Sequence, residues 1–393
     1  MFKVLHVLYQ SYPNISGSST RSKSIVDAMY NSSTFEPIVI TSPLQKGCSE
    51  KSYDIIDGVS YYRTFKKGNE KYEVNKPKSF FTKLNKVLSF IFFTKDVYKV
   101  SKKYDVDVIH AHAMAFCGIP ALIVARLLGK KIVYEIRSDW HLDEAFSSGA
   151  FYQNLFGKIE LYVANKADCL VVISAGLFEK YSKVNPKTFL ISNAVHDDRF
   201  TKNELSLKKN EKISFGFIGS LIPLEGLELV LEALKIVKRD HGVEIDFFIA
   251  GKGESENTII AKSELLGITK QVHACGSFPF ESVDKFYDSV DVIVNFRRDE
   301  EIAHTVTPLK PLEAMAQKKL VIVSDVKGML ELVTDKVNGL VVSAENVNEL
   351  ANTLYDVYSR FDDYNALIAS SFEYVLGNYS WNCHINKYVE VYK

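Results

Sequence analysis

HTVTPLKPLEAMAQKKLVIVSD, residues 304–325, passes from a proline-stiffened loop through a helix-forming run into four consecutive apolar residues, 320–323. Leu312, Glu313, Ala314, Met315 and Ala316 are good helix formers, so a helix is predicted from Leu312 onward. Pro308 and Pro311 cannot sit inside it, but Pro311 fits a first turn, where a missing N–H costs nothing. The apolar block reads as a strand covered on both faces, because a half-exposed strand alternates. Helices packed between such strands build a parallel α/β sheet.

The pattern recurs along the chain. ISFGFIGS, EIDFFIAGKG, VHACGSF, DVIVNF and GLVVS punctuate the second half, and FKVLHVLY, FEPIVITS, DVIHAHA, KIVYEIR and CLVVISA the first. The polar stretch HDDRFTKNELSLKKNEK, residues 196–212, holds few core residues and separates the two series. The reading is two Rossmann-like α/β domains, with the cleft between their strand ends as the ligand site. Neither first strand is followed by G-x-G-x-x-G, which argues against a nicotinamide dehydrogenase.

A loop entering a helix N-terminus offers unpaired N–H groups and a partial positive charge, which suit a phosphate. Lys310 adds a full charge there and Glu313 a first-turn carboxylate. A well-capped helix with no ligand would look the same.

The 393 residues exceed one ordinary domain, and 47% apolar with 24% charged residues describes a globular protein with large cores. Forty-eight basic and forty-eight acidic side chains cancel, so no nucleic-acid partner is expected. The five cysteines are scattered without a CxxC pair, which fits a reducing cytoplasm and argues against a disulfide framework or a zinc site. The apolar start is too short for a signal peptide, and no run reaches membrane-spanning length. One segment stands out in charge. Residues 76–103 hold eight lysines against one acid, Asp96, interleaved with phenylalanines and leucines. It reads either as a domain helix with a solvated lysine face or as a surface that docks on anionic lipid.

The second half carries, in order, GSLIPLEGLELVLEAL, GKGE, GSFPFESVDKFYDSVDVIV, TPLKPLEAMA and KGMLELVTDKVNGLVV. The first half carries YPNISGSSTRSKSIVDAM, DVIHAHAMAF, YEIRSDW, ADCLVVISAGL and ISNAVHDDRF. This ordered set resembles family 4 glycosyltransferases, retaining enzymes of the two-domain GT-B architecture, and most closely the bacterial subgroup that builds capsule, O-antigen and exopolysaccharide. The resemblance implies an acceptor-binding domain over 1–198 and a nucleotide-sugar-binding domain over 199–375. It also implies a C-terminal helix, 376–393, that crosses back to the first domain.

In the resembling family the loop–helix junction cradles a diphosphate, and a helix glutamate, here Glu313, accepts from the ribose hydroxyls. A carboxylate suits a vicinal diol because it offers two acceptors to two donors. Gly219, Ser220, Gly251, Ser277, Thr307 and Leu309 are expected on the donor side. The chain departs from the pattern in three places. Thr305 stands where the wider family has a sugar-binding glutamate, and Ser220 and Glu225 where it has a diphosphate-binding arginine and lysine. The leaving diphosphate still needs charge. Without a clustered Asp-x-Asp no metal or other cofactor is expected, so Lys310 and then Arg297 are the candidate stabilisers. A surface pairing of the Arg297–Arg298 dipeptide with Glu300 or Glu301 is the plain alternative.

On the first domain, Gly17 would let backbone approach a ligand, and Arg21, near the start of the following helix, could clamp a phosphate oxygen. His110 and His112 share a strand face. His112 matches the family histidine beside the reacting sugar, and His110 reads as core. Glu135, Arg137 and Trp140 end the next strand on the acceptor side, with burial of Glu135 against Arg137 as its structural reading. The function implied is a metal-independent, retaining transferase using a nucleotide sugar, UDP favoured. Its acceptor would be a glycan or a polyprenyl-diphosphate-linked sugar. The expected location is the cytoplasm, with peripheral docking on the inner face of the membrane left open. A nucleotide-sugar epimerase of the same architecture and a non-enzymatic nucleotide-sugar sensor are the competing readings.

Overall fold

A computed structural model describes residues 1–14, 17–45, 52–64, 80–112, 114–140, 150–203, 212–278 and 282–393; of residues 80–87 and 150–152 it describes the backbone alone. The chain forms two compact units, Met1–Ser192 with His384–Lys393, and Asn193–Cys383. The break at 192/193 precedes the expected boundary at 198/199. Asp197–Arg199 is already a turn of the second unit, tied down by Arg199 Nη1 donating to Asp284 Oδ1 at 2.9 Å. Residues 204–211 of the polar stretch lie outside the described residues. The C-terminal helix is Trp381–Tyr392, starting five residues later than expected, and its residues from His384 onward pack in the first unit.

The first unit is built on β1 (Phe2–Leu8), β2 (Phe35–Thr41), β3 (Tyr53–Ile56), β4 (Val59–Arg63), β5 (Val108–His112), β6 (Lys131–Ile136), β7 (Cys169–Val172) and β8 (Thr188–Leu190). Their order is β3-β4-β2-β1-β5-β6-β7-β8, parallel except for β3 against β4. The second unit holds β9 (Ser214–Ile218), β10 (Asp246–Ala250), β11 (Val272–Gly276), β12 (Val292–Asn295), β13 (Leu320–Ser324) and β14 (Leu340–Val342). These are all parallel, in the order β11-β10-β9-β12-β13-β14.

Every apolar run picked out above is one of these strands; burial on both faces selects the continuous Val, Ile and Phe of the inner ones, while β11, at a sheet edge, has no buried residue. Leu5, Val7, Ile109, Ala111 and Tyr134 form the heart of the first core, and Phe215, Phe217, Phe247, Val294 and Ile322 that of the second. The strand order decides where function sits. In each sheet the order reverses once, between β1 and β5 and between β9 and β12, and ligands of open parallel sheets bind outside the carboxyl ends of the strands at such a point. Among the described residues no helix is long and apolar enough to cross a membrane.

Candidate active site

In the second unit the loop after β9 runs from Gly219 to Gly226, and that after β12 starts at Phe296. The backbones at these strand ends touch. Gly251 has φ +147° and a Cβ there would stand 1.8 Å from the Gly219 carbonyl oxygen; at Gly226, φ +59°, it would stand 2.3 Å from that of Phe296. Gly219 N–H donates to Ala250 O at 3.0 Å and Gly251 N–H to Gly276 O at 2.8 Å. The requirement for glycine at 251 therefore comes from backbone packing rather than from a donor ligand. Ser220 and Ser277 are exposed on this rim.

The helix expected from Leu312 begins earlier, at Lys310, and runs to Ala316 with Pro311 in its first turn. Lys310 is therefore part of the helix and three residues from Glu313, and its Nζ donates to Glu313 Oε2 at 2.7 Å. The buried Tyr287, which sequence reasoning missed, donates its hydroxyl to the same oxygen at 3.4 Å. Lys310 and Glu313 are partly exposed, so a ligand can reach both. Leu309 is the N-cap, half-buried. Thr307 is buried, and its carbonyl accepts from Asn193 Nδ2 at 2.7 Å. Through that contact it braces the loop. Thr305 donates its hydroxyl to Ile302 O at 3.3 Å.

Arg297 differs most from expectation. Its Nη2 and Nε donate to Glu225 Oε1 at 2.8 and 3.2 Å, and both side chains are nearly buried. The glutamate at the place of the family's lysine thus anchors an arginine from the neighbouring strand end. Arg297 is thus half of an ion pair, its charge balanced by Glu225. Arg298 reaches Glu345 at 3.3 Å and Glu228 at 3.7 Å, so the carboxylates paired with the two arginines are Glu225, Glu228 and Glu345 rather than the Glu300 or Glu301 of the plain alternative.

In the first unit β5 and β6 lie side by side past β1. The alternation of β5 puts His110 and His112 on one face, their rings stacked at 4.0 Å, and His6 of β1 joins them. Arg137 Nη2 lies 2.6 Å from His112 Nδ1, and His112 Nε2 lies 2.8 Å from His6 Nδ1. A guanidinium only donates, so His112 Nδ1 accepts and its proton resides on Nε2, directed at His6. Burial pushes the His112 pKa down to about 3, so the ring is neutral. Buried to 2% with both nitrogens engaged, His112 supports the strand end.

Three clustered histidines invite a metal reading. The 2.8 Å N···N contact is a hydrogen-bond length, and a guanidinium occupies the other His112 nitrogen. The geometry is that of a hydrogen-bonded core.

Glu135 is the hub. Its Oε1 accepts from Arg21 Nε at 3.1 Å and Arg137 Nε at 2.7 Å, and Oε2 accepts from the Tyr388 hydroxyl at 2.9 Å. Burial acts to raise its pKa, but the Arg21 and Arg137 cations outweigh that and hold it well below the usual carboxylate range. Arg21 also donates to Ser192 O at 2.8 Å and Ile191 O at 2.9 Å. It is 2% exposed and serves as an internal strut between the helix after β1 and the segment after β8. The helix after β1 begins at Gly17 itself, not near Arg21. Ile15, Ser16 and Ala113, from the quoted motifs, lie outside the described residues. Trp140 donates Nε1 to Glu160 Oε2 at 2.9 Å.

Two family descriptions match the chain: Glycosyltransferase Family 4 over residues 57–199 and Glycosyl transferases group 1 over residues 198–371. An uncharacterised glycosyltransferase of Methanocaldococcus jannaschii is 26% identical over 215 residues, 54% of this chain and 53% of that protein, so the match spans about half of that relative's length. An uncharacterised 41.2 kDa protein in the cps region of Klebsiella pneumoniae is 23% identical over 309 residues, 76% of this chain and 81% of its own. HepE of Anabaena, solved in complex with UDP-glucose, superposes with a TM-score of 0.71 at 15% identity over 100% of both chains. The two matches run head to tail over residues 57–371, so this chain carries a glycosyltransferase family 4 domain followed by a glycosyl transferases group 1 domain, on the two-domain fold that such a neighbour displays.

Proposed function

We propose that the protein is a retaining, metal-independent transferase that moves a sugar from a UDP-sugar to a glycan or polyprenyl-diphosphate-linked acceptor during capsule, O-antigen or exopolysaccharide assembly. The observation that carries this reading is the Lys310–Glu313–Tyr287 group, a cation and a carboxylate side by side on an accessible helix start downstream of the β12 strand end. Glu313 would receive the ribose hydroxyls while Lys310 turns to the diphosphate. The bound UDP-glucose of HepE and the cps-region relative support the donor and the pathway. With no free carboxylate placed as a nucleophile among the residues discussed, retention is assigned to front-face attack, the leaving diphosphate taking the acceptor's proton.

A lipid-linked acceptor is part of this proposal, and one surface supports it. The helix Phe80–Tyr104 exposes Leu88, Ile91 and Phe92 next to Lys95 and Lys99, an apolar strip with a basic margin that suits an anionic inner leaflet. Residues 76–79 of the lysine-rich segment lie outside the described residues.

The test is one incubation of the full chain with UDP-sugars and a polyprenyl-diphosphate-linked sugar in EDTA, with products identified by mass and sugar analysis. Transfer undiminished by EDTA is expected. Isomerised donor would favour the epimerase reading, unchanged donor the sensor, and activity abolished by EDTA and restored by manganese would overturn metal independence.

A further inference from the structure

The two oxygens of Glu135 are served unequally. Oε1 takes both guanidinium N–H groups, whereas Oε2 takes the hydroxyl of Tyr388 at 2.9 Å, with His110 Nε2 next at 3.6 Å, beyond hydrogen-bond length. Tyr388 comes from the far end of the sequence, 253 residues on, and is fully buried in the first unit. One helical turn later Tyr392 sets its hydroxyl 2.7 Å from His110 Nδ1. The inner face of the last helix thus delivers two hydroxyls, i and i+4, to the strand ends of β5 and β6.

These contacts lead outward to accessible backbone. Arg137, held by Glu135, donates from Nη1 to Ser18 O at 2.7 Å, Ser18 Oγ at 3.1 Å and Ser22 Oγ at 3.0 Å. Ser18 is exposed and lies in the first turn of the helix Gly17–Asn31. A chain of hydrogen bonds therefore runs from Tyr388 through Glu135 and Arg137 to the lip after β1.

We infer that Tyr388 is a positioning residue for the acceptor side of the transfer reaction, which places the C-terminal turn in the first-unit site and rests on the function proposed above. The physical reason lies in the carboxylate. Deprived of the Tyr388 hydroxyl, Oε2 is left as a buried anionic oxygen without a donor, and the carboxylate gains by rotating toward a two-oxygen fork with Arg137. That rotation swings the guanidinium away from Ser18, Ser22 and His112 Nδ1. The lip loses its brace although nothing in it has been changed.

Tyr388→Phe keeps the buried ring and removes only the hydroxyl. In the full chain labelled with [15N]histidine, its expected signature is a displaced His112 Nδ1 resonance, because the donor opposite that nitrogen moves. UDP affinity should be unchanged, since the Tyr388 partners named above all lie in the first unit. The acceptor KM, measured with a polyprenyl-diphosphate-linked monosaccharide, should rise about 10-fold with kcat altered less, the scale of one hydrogen bond to a charged group. Tyr392→Phe is the companion variant. It removes a buried hydroxyl from the same helix without touching Glu135, and should leave the acceptor KM unchanged. Unchanged His112 resonances in Tyr388→Phe would overturn the inference, as would equal acceptor KM effects in the two variants. If the wild type shows no transfer at all, the proposed function fails, while the histidine spectra still decide whether Tyr388 governs the network.

Discussion

Lys310→Ala is expected to lower kcat about 100-fold or more, the scale seen when one preorganised stabiliser of a developing anion is removed. Two of the positions where the resemblance places diphosphate cations hold Ser220 and Glu225, and Glu225 neutralises Arg297. Lys310 alone of the two proposed stabilisers sits beside a carboxylate that a ribose diol can occupy in its stead. Its side chain is 32% exposed, with the ammonium 2.7 Å from Glu313 Oε2. Charge is needed most when the glycosidic oxygen takes up electrons, so the loss should fall on kcat more than on donor KM. Lys310→Arg should recover part of it, because a planar fork does not reproduce a compact ammonium on a helix start. Steady-state kinetics at saturating donor decide; a near wild-type kcat for Lys310→Ala would assign the charge to backbone N–H groups.

Glu135→Ala is expected to cost the first unit about 3–5 kcal/mol, because it strands Arg21 and Arg137 as unpaired buried cations. Both guanidinium groups now share Oε1, and neither side chain is more than 8% exposed. The effect should depend on pH in one direction. The folded pKa of Glu135 is held below its unfolded value, so its contribution is complete above the ordinary carboxylate range and is lost as pH falls through the depressed folded value. Wild type and variant should therefore differ by a constant amount from about pH 6 to 9 and converge only in acid. Trp140 and Trp381 are the only tryptophans, one in each unit, so urea unfolding followed by fluorescence in a Trp381→Phe background reports the first unit. A difference that grew with rising pH would contradict this assignment.

What the sequence made legible follows from the range of each interaction. Parallel strands announce themselves locally, as apolar runs between helices, so the sheets could be read residue by residue. β3 and β4 escaped because their polar residues alternate. Yet the Asp57-Gly58 pair between them, with φ of 49° and 84°, is a two-residue hairpin signal that was there to be found. β8, three residues long, gave too little pattern. Lys310 and Glu313 were legible for the same local reason, standing three residues apart at a helix start. Their neighbours were not: Tyr287 reaches Glu313 across 26 residues, Arg297 reaches Glu225 across 72, His6 reaches His112 across 106 and Tyr388 reaches Glu135 across 253. Such pairs are set by which strand ends lie side by side, and no spacing encodes that. Arg21, in the helix after β1, and His112, at the end of β5, are the converse case, since each looks like a ligand contact until its internal partners are known.

The most direct test of the central claim is calorimetric titration of UDP onto the full chain in EDTA, with wild type and Glu313→Gln measured side by side. An accessible carboxylate that receives the ribose diol contributes as a charge-assisted acceptor, so the substitution should weaken UDP by about 1–3 kcal/mol. Equal affinity in the two proteins, or no binding of UDP by the wild type, would contradict a nucleotide-sugar site built on Glu313.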